Sequence, residues 1–448
     1  MGGDVLDYLA AKICAVGPNT LSDDDRERAR LRIFDTLLAA VAGLRAFDRD
    51  ETAPVIAGAG ESDAVSILAI GARFTEVDDI AIGGCVTPGA IVVPVVLGLS
   101  PTVAADDSTV LAAVAAGYET ATAFGDMIDG ANILGAGLWP TLLVAPFAAT
   151  AAAAVLLRLD HRSTLAALRL AAEYTAGPTR ATQGRHGRLL ALASAIRAGL
   201  SAATDTGSRL ALPDDTAQRW AASYGVNITE ARAHAHFIPG RMLADIDTKP
   251  FPTARQALAA VEGVSRLAEG LAPDTIRAVD IAVPTRWLRM IGRTAPPNDR
   301  IGSLLSVAYQ AGLTLLHPSE LVSVARRNLP QDEAMRAFLG KISVAGGFQA
   351  ATAEGAWGAS VRLLTDDGRS RTITVTATTG SASRQPGWAF LEDKMLRIFA
   401  NDPEALATAH ALRSAIHGLA RTTDDNCRIA RAALAPLIKG RIVAETHP

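Results

Sequence analysis

Thr275-Ile276-Arg277-Ala278-Val279-Asp280-Ile281-Ala282-Val283 alternates apolar and polar residues with a period of two, the pattern of a strand with one buried face. Ser360 to Ala377 repeats the alternation in large part, and Asp367-Gly368 within it supplies a hairpin turn. Between these strands the sequence predicts helical stretches around 300–315 and 331–340. Strands and helices mixed in this way make an α+β module, bounded at about 269–393.

Outward from that module the texture is helical on both sides. Toward the N-terminus, from Val5 to about Ala268, Ser22-Asp23-Asp24-Asp25 reads as an N-cap with an acidic first turn. The helix after it carries Ala29, Leu31, Ile33, Leu37, Leu38 and Val41 on a broad apolar face, and Gly43 is expected to end it. Alanine-rich helical segments follow around 108–124, 140–158, 163–176, 188–204 and 253–270. Toward the C-terminus helices resume at Leu391 to Ala400, then at about 403–420 and 424–438. Because the two flanks share one texture, the sequence predicts a mainly α protein with an inserted α+β domain. A discontinuous helical domain, 1–268 with 394–448, would enclose a smaller α+β lid at 269–393.

Composition narrows the function classes. The chain has 448 residues, 49% hydrophobic and 20% charged, which is too apolar for disorder. Lys and Arg number 43 against 46 Asp and Glu, a net charge of −3, so no basic field exists to hold a nucleic acid. Cys14, Cys85 and Cys427 lie far apart with no C-x-x-C pair, against a disulfide scaffold or a cysteine zinc cluster and in keeping with a reducing cytoplasm. The N-terminus carries acid where a signal peptide needs a basic flank and an apolar run, so the expected location is cytoplasmic. Two uncharged stretches, Ile80 to Ala105 and Ile133 to Leu157, are long enough to span a bilayer. Both are interrupted by proline, at Pro88, Pro94 and Pro101 and at Pro140 and Pro146, so they are expected as buried helices and not as membrane spans.

No P-loop, H-E-x-x-H, G-x-S-x-G or EF-hand pattern occurs, and the glycine clusters do not form a dinucleotide fingerprint between a strand and a helix. His234 and His236 form an H-x-H pair that on a strand would point the same way, but no third ligand is near. The expectation is a solvated loop before Pro239-Gly240, with no metal and no cofactor.

Several polar residues sit within or beside apolar stretches, where burial is costly unless they are satisfied or used. Asp78 and Asp79 precede the first uncharged stretch, which holds Cys85 and Thr87; Trp139 stands near the start of the second. Arg180, Arg185, His186 and Arg188 form a cationic cluster, Lys249-Pro-Phe-Pro follows an acidic turn, and Tyr309 lies on a helix of the α+β module. Singly, each has an ordinary structural explanation as cap, surface patch or core residue.

Taken in order these segments resemble the landmarks of one family. Arg32-Ile-Phe-Asp-Thr-Leu-Leu-Ala-Ala-Val-Ala-Gly43, Asp78-Asp79, Thr87-Pro-Gly-Ala-Ile-Val-Val-Pro94, Gly117-Tyr-Glu119, Gly137-Leu-Trp-Pro-Thr141, Lys249-Pro-Phe-Pro252 and Leu305-Ser-Val-Ala-Tyr309 look like successive elements of the MmgE/PrpD family. That family includes 2-methylcitrate dehydratase, cis-aconitate decarboxylase and iminodisuccinate epimerase. The resemblance implies a helical domain with an inserted lid, usually a dimer, with the active site between them and no cofactor. It implies action on small di- or tricarboxylates by moving a proton beside a carboxylate.

Three positions depart from the family pattern. Histidine normally stands where this chain has Thr87 and where it has Trp139, and a family lysine aligns with Arg188; Lys249 and Tyr309 are retained. Threonine and tryptophan carry no proton at neutral pH, so two proton carriers are lost. The arginine fork can hold a carboxylate in two parallel bonds and the indole supplies a flat wall. The catalytic candidates are then Lys249, Tyr309 and Asp78, with Arg188, Thr87, Trp139, His186, Asp79 and Cys85 around the substrate. Lys249 and Tyr309 qualify if burial and the cationic neighbours lower their pKa values toward the working range. Three functions remain open: a cofactor-free lyase or isomerase with altered chemistry, acting on a bulkier carboxylate-bearing small molecule, in specialised biosynthesis; an authentic 2-methylcitrate dehydratase or cis-aconitate decarboxylase; and a silent homologue kept for binding or dimerisation. So apolar a chain is also expected to form a homodimer.

Overall fold

The computed structural model describes residues 4–46, 63–174, 187–205, 212–236, 243–349, 354–422 and 425–442. The protein is mainly helical with a smaller α+β part, and its contacts divide it into two compact units: Met1–Asp247 with Phe399–Pro448, and Thr248–Ile398.

The first unit is built from α1 (Val5–Ala15), α2 (Asp23–Ala46), α3 (Ala64–Phe74), β1 (Ile80–Ala81), α4 (Gly89–Leu99), α5 (Asp107–Met127), α6 (Gly130–Gly135), α7 (Pro140–Leu156), α8 (His161–Tyr174), α9 (Gly187–Thr204), α10 (Thr216–Ser223), α11 (Glu230–His236) and β2 (Ile246–Asp247). Two helices of the chain's far end, α19 (Pro403–Gly418) and α20 (Asn426–Ile442), complete it. Pro140 stands at the first position of α7, where its missing N–H is no loss, and nearly every residue of that helix is buried. α7 packs on α5, α9 and α4, so a helix apolar all round lies at the centre of the unit. The two uncharged stretches thus supply α4 and α7, and among the described residues no helix is long and apolar enough to cross a membrane.

Close helix approach depends on small residues. α2 does not stop at Gly43: it runs to Ala46, and Gly43 lies against the backbone of Gly71 in α3, where an added Cβ would come within 1.9 Å of the Gly71 carbonyl oxygen. The glycine expected as a helix terminator is a contact point between two helices.

The return of the chain end is fixed by a polar clamp. Asp402 caps α19 by accepting the Ala405 N–H at 3.0 Å, and it takes two bonds from Arg45 of α2, at 2.8 and 3.0 Å. Although burial pulls the Asp402 carboxyl up, Arg45 and the cap hold it below the usual range. Its contribution is therefore complete above the ordinary carboxylate pKa and is lost as pH falls through the lowered folded value. Asp402→Ala should cost about 1–2 kcal/mol at neutral pH, the sum of a cap and a partly exposed ion pair, and urea denaturation at pH 3 should show a much smaller difference.

The second unit holds α12 (Arg255–Leu267), β3 (Ile276–Ala282), α13 (Thr285–Ile291), α14 (Arg300–Leu305), α15 (Val307–Leu316), α16 (Pro318–Val322), α17 (Glu333–Leu339), β4 (Ile342–Ala345), β5 (Ala359–Thr365), β6 (Ser370–Val375) and α18 (Trp388–Ile398). The sheet order is β4-β3-β5-β6. β3 runs antiparallel to β5, with Val279 opposite Leu363, and β5 to β6 with Val361 opposite Ile373. The Asp367-Gly368 turn closes the hairpin with Gly368 at φ +83°. β4, absent from the sequence reading, adds in parallel to β3 from Val279/Ile342 to Ala282/Ala345.

Two details differ from the sequence-based expectation. The helix expected over 300–315 is broken at Ser306, whose extended backbone lets its hydroxyl accept the Tyr309 N–H. The unit also begins at Thr248, ahead of 269, because α12 packs on β5 and β6 with Gly263 against Val361 and Ile373, and it runs to Ile398.

Candidate functional site

In the first unit a loop between α3 and α4 carries Glu76, Asp78, Asp79, Cys85 and Thr87. β1 pairs antiparallel with β2, Ile80 opposite Asp247, and a bridge from Ala81 to Val86 closes the loop. Cys85 sits in that closure at φ +53°, its thiol on the Ile82 carbonyl oxygen at 3.8 Å. The loop ends at Thr87, whose N–H donates to the Thr141 hydroxyl at 3.3 Å, two residues beyond Trp139 at the start of α7. The Thr87 hydroxyl is itself buried without a hydrogen-bond partner among the described residues.

Asp79 anchors the loop from beneath. One oxygen accepts the Gly89 N–H at 2.9 Å, at the start of α4, and the other accepts the Tyr118 hydroxyl at 2.6 Å. Gly89 must be glycine, since a Cβ there would lie 2.1 Å from the Thr36 hydroxyl oxygen and 2.9 Å from the Asp79 carboxylate. Burial first, and then the neighbouring Asp35 carboxylate, push the Asp79 pKa up to about 7. The Tyr118 phenol is likewise raised by burial and by Asp79. Asp79 is thus a structural tether that titrates near neutrality.

Asp78 lies beside a different set of charges. Arg73, at the end of α3, reaches Asp78 at 3.2 Å and Glu76 at 2.8 Å, and Arg188 reaches the other oxygen of Glu76 at 2.7 Å. Burial alone would lower the Arg73 guanidinium, but Asp78 and Glu76 hold it above its usual value. Both guanidiniums lie near the Trp139 indole, at 5.2 Å for Arg73 and 5.8 Å for Arg188, a cation–π arrangement. Among the described residues, the Nε and Nη1 groups of Arg188 make no hydrogen bond, leaving donors for an incoming oxyanion.

Of the residues singled out from sequence, Asp78, Trp139 and Arg188 therefore meet in one cluster, and Asp79 and Thr87 support it. Cys85 belongs to its loop, and His186, like Arg180 and Arg185, lies outside the described residues. Arg73 and Glu76 were missed. Their signal was a lone arginine ending the apolar helix Ala64–Phe74, three residues before an acid.

Lys249 and Tyr309 belong to the second unit. Lys249 is buried, and its turn is held by Thr248 N–H donating to the Gly380 carbonyl at 2.8 Å and by Arg326 donating to the Pro252 carbonyl at 3.1 Å. Tyr309 is fully buried, its hydroxyl donating to the Pro330 carbonyl at 3.2 Å. Burial outweighs the nearby Arg326 and pushes the phenol up to about 12, opposite to the shift that proton abstraction would need. At neutral pH Tyr309 can donate a hydrogen bond but cannot act as a base.

The H-x-H pair is not in a loop. It ends α11, where residues two apart point in divergent directions. The His234 ring lies against Tyr8, centroids 4.0 Å apart and planes tilted by 43°, and faces Glu230 at 3.4 Å, while His236 lies 4.0 Å from Asp126. Among the described residues no group of three or more His, Cys, Asp or Glu side chains is placed to hold a metal ion.

A helical unit with a buried carboxylate–guanidinium cluster, interrupted in sequence by an α+β unit, defines the architecture. The MmgE/PrpD N-terminal domain model matches residues 7–208 and the MmgE/PrpD C-terminal domain model matches residues 251–412. The chain belongs to the MmgE/PrpD family, an enzyme family of generally lyase and dehydratase type. No curated protein matches it.

Proposed function

We propose that the protein is a cofactor-independent lyase or isomerase that moves a proton on a small carboxylate-bearing molecule, with chemistry altered from the family's usual dehydration or decarboxylation. The observation that carries this reading is Trp139 beside the guanidiniums of Arg73 and Arg188, at a position where the family resemblance expects histidine. Arg188 binds the substrate carboxylate through its open donors, and Trp139 offers a flat wall suited to a bulkier or aromatic body. Asp78 and Lys249 are the proton carriers, with Tyr309 as a donor. Removal of a proton beside the bound carboxylate puts negative charge on that group, and a guanidinium aimed at it stabilises the charge as it develops. The same reading has the protein as a cytoplasmic homodimer, which sedimentation at micromolar concentration checks; a monomer there would remove that part.

Neither Thr87 nor Trp139 can carry a proton, so no useful turnover of 2-methylcitrate or cis-aconitate is expected. Screening carboxylic acids by proton exchange into deuterated water should instead identify an aromatic or otherwise bulky acid. With that acid, Arg188→Ala should raise KM by about 10- to 150-fold, the loss of a charge-assisted contact of roughly 1.5–3 kcal/mol, with a smaller change in kcat. Lys249→Ala should lower kcat by at least about a hundredfold. Turnover of 2-methylcitrate at rates typical of enzymes, or an Arg188→Ala variant with unchanged KM, would overturn the assignment.

A further inference from the structure

The first unit has a second cluster of guanidiniums. A cavity of about 340 Å³ lies where the start of α2, the start of α5 and the turn after α19 meet, and Arg26, Arg30, Arg421, Ser108, Asn19 and Asp23 line it. Arg30 is only 4% exposed; its Nε donates to the Leu419 carbonyl at 2.8 Å and its Nη1 to Glu27 at 3.0 Å, while its Nη2 makes no hydrogen bond among the described residues. Arg421 shares the same Glu27 and also donates to His417 at 2.8 Å, which requires a neutral imidazole. Burial, then Arg421, lower the His417 pKa in keeping with that arrangement. Arg26 is paired with Asp23, a fully solvent-exposed carboxylate, and with the Pro18 carbonyl. Three cations thus share Glu27 and the solvent-exposed Asp23, while the nearby Asp107 carboxylate is taken up by the Ala420 N–H and the Asn426 amide. Burial first, and then Arg421, lower the Arg30 guanidinium, while Glu27 raises it. The Ser108 hydroxyl on the first turn of the 21-residue α5 makes no hydrogen bond among the described residues, because Asp106 supplies the cap to Thr109.

We propose that this cavity binds a small multivalent oxyanion, a phosphoryl group or a polycarboxylate, held by Arg26, Arg30 and Arg421 with the Ser108 hydroxyl as a further donor. A singly charged ion would leave guanidinium donors unused, whereas two or three anionic oxygens can meet planar forks from different directions. The ligand joins three chain segments, so it should stabilise the unit as well as bind.

Calorimetric titration of the full chain with inorganic pyrophosphate and with citrate, at constant ionic strength set with potassium chloride, tests the site. One ion should bind per chain at or below millimolar concentration. Arg421→Gln, and separately Arg26→Gln, should weaken binding by at least about tenfold while circular dichroism remains that of the parent. Arg28→Gln, on α2 but paired with Asp24 and not lining the cavity, should leave it unchanged. Pyrophosphate binding alone assigns a phosphoryl ligand, and citrate alone a polycarboxylate. Citrate binding that Arg188→Ala abolishes would place the ion at the candidate functional site and overturn the proposal. So would equal affinity in the Arg26 and Arg421 variants, or no binding of either ion.

Discussion

Gly43→Val should destabilise the helical unit by at least about 3 kcal/mol, the upper range of overpacking, because the obstacle is backbone and not a movable side chain. A Cβ at position 43 would stand 1.9 Å from the Gly71 oxygen and 2.6 Å from its carbonyl carbon, so α2 and α3 would have to part. Both helices bear on the candidate site: α2 carries Arg32, Asp35 and Thr36 beneath Asp79, and α3 ends at Arg73 and Phe74. Separation should therefore reduce activity along with stability. Gly135→Ala is the control, since a Cβ there meets nothing within 4 Å and the change should be neutral or slightly stabilising. Urea midpoints of the two variants decide it; an unperturbed Gly43→Val would mean that this helix crossing is not as close as described.

Asp79→Ala should cost about 2–5 kcal/mol, because it leaves the buried Gly89 N–H and Tyr118 hydroxyl unpaired. Asp79→Asn isolates the charge. With its folded pKa raised to about 7, Asp79 takes up a proton on folding between pH 4 and 7. The folded state then binds more protons than the unfolded one, so its contribution weakens stability as pH rises through that window and levels off above it; below pH 4 the penalty is absent. The asparagine variant should lack this loss, so its stability relative to the parent should rise by a few kcal/mol from pH 4 to pH 8. A parallel pair of stability–pH curves would show that Asp79 is ionised at little cost.

The helices were legible where one local signal sufficed. The alanine-rich segment at 140–158 placed α7, and the one at 108–124 placed α5, each to within a few residues. The Asp367-Gly368 hairpin was equally plain. What escaped depends on partners distant in sequence. β4 is four residues long and becomes a strand by adding to β3; Gly43 reads as a terminator until Gly71 is seen against it. In the site, Asp78 and Trp139 could be named because they are polar or bulky residues in apolar surroundings. Glu76 acquires significance only through Arg73 and Arg188, the second of them 112 residues away. The raised phenol of Tyr309 could not be read from sequence at all, because its burial comes from tertiary packing around α15.

The pairing of Ile80 and Ala81 with Ile246 and Asp247 sets an order on the birth of the protein. As the chain leaves the ribosome, the loop bearing Asp78 waits for a partner strand made some 165 residues later, and α2 waits longer still for the Asp402 that clamps Arg45. Contacts of such sequence separation close slowly and leave apolar helix faces uncovered meanwhile. A nascent chain stopped before residue 246 should hold the central α5–α7–α9 packing yet expose its site loop to protease. Release of the complete chain should then protect that loop in a late kinetic phase.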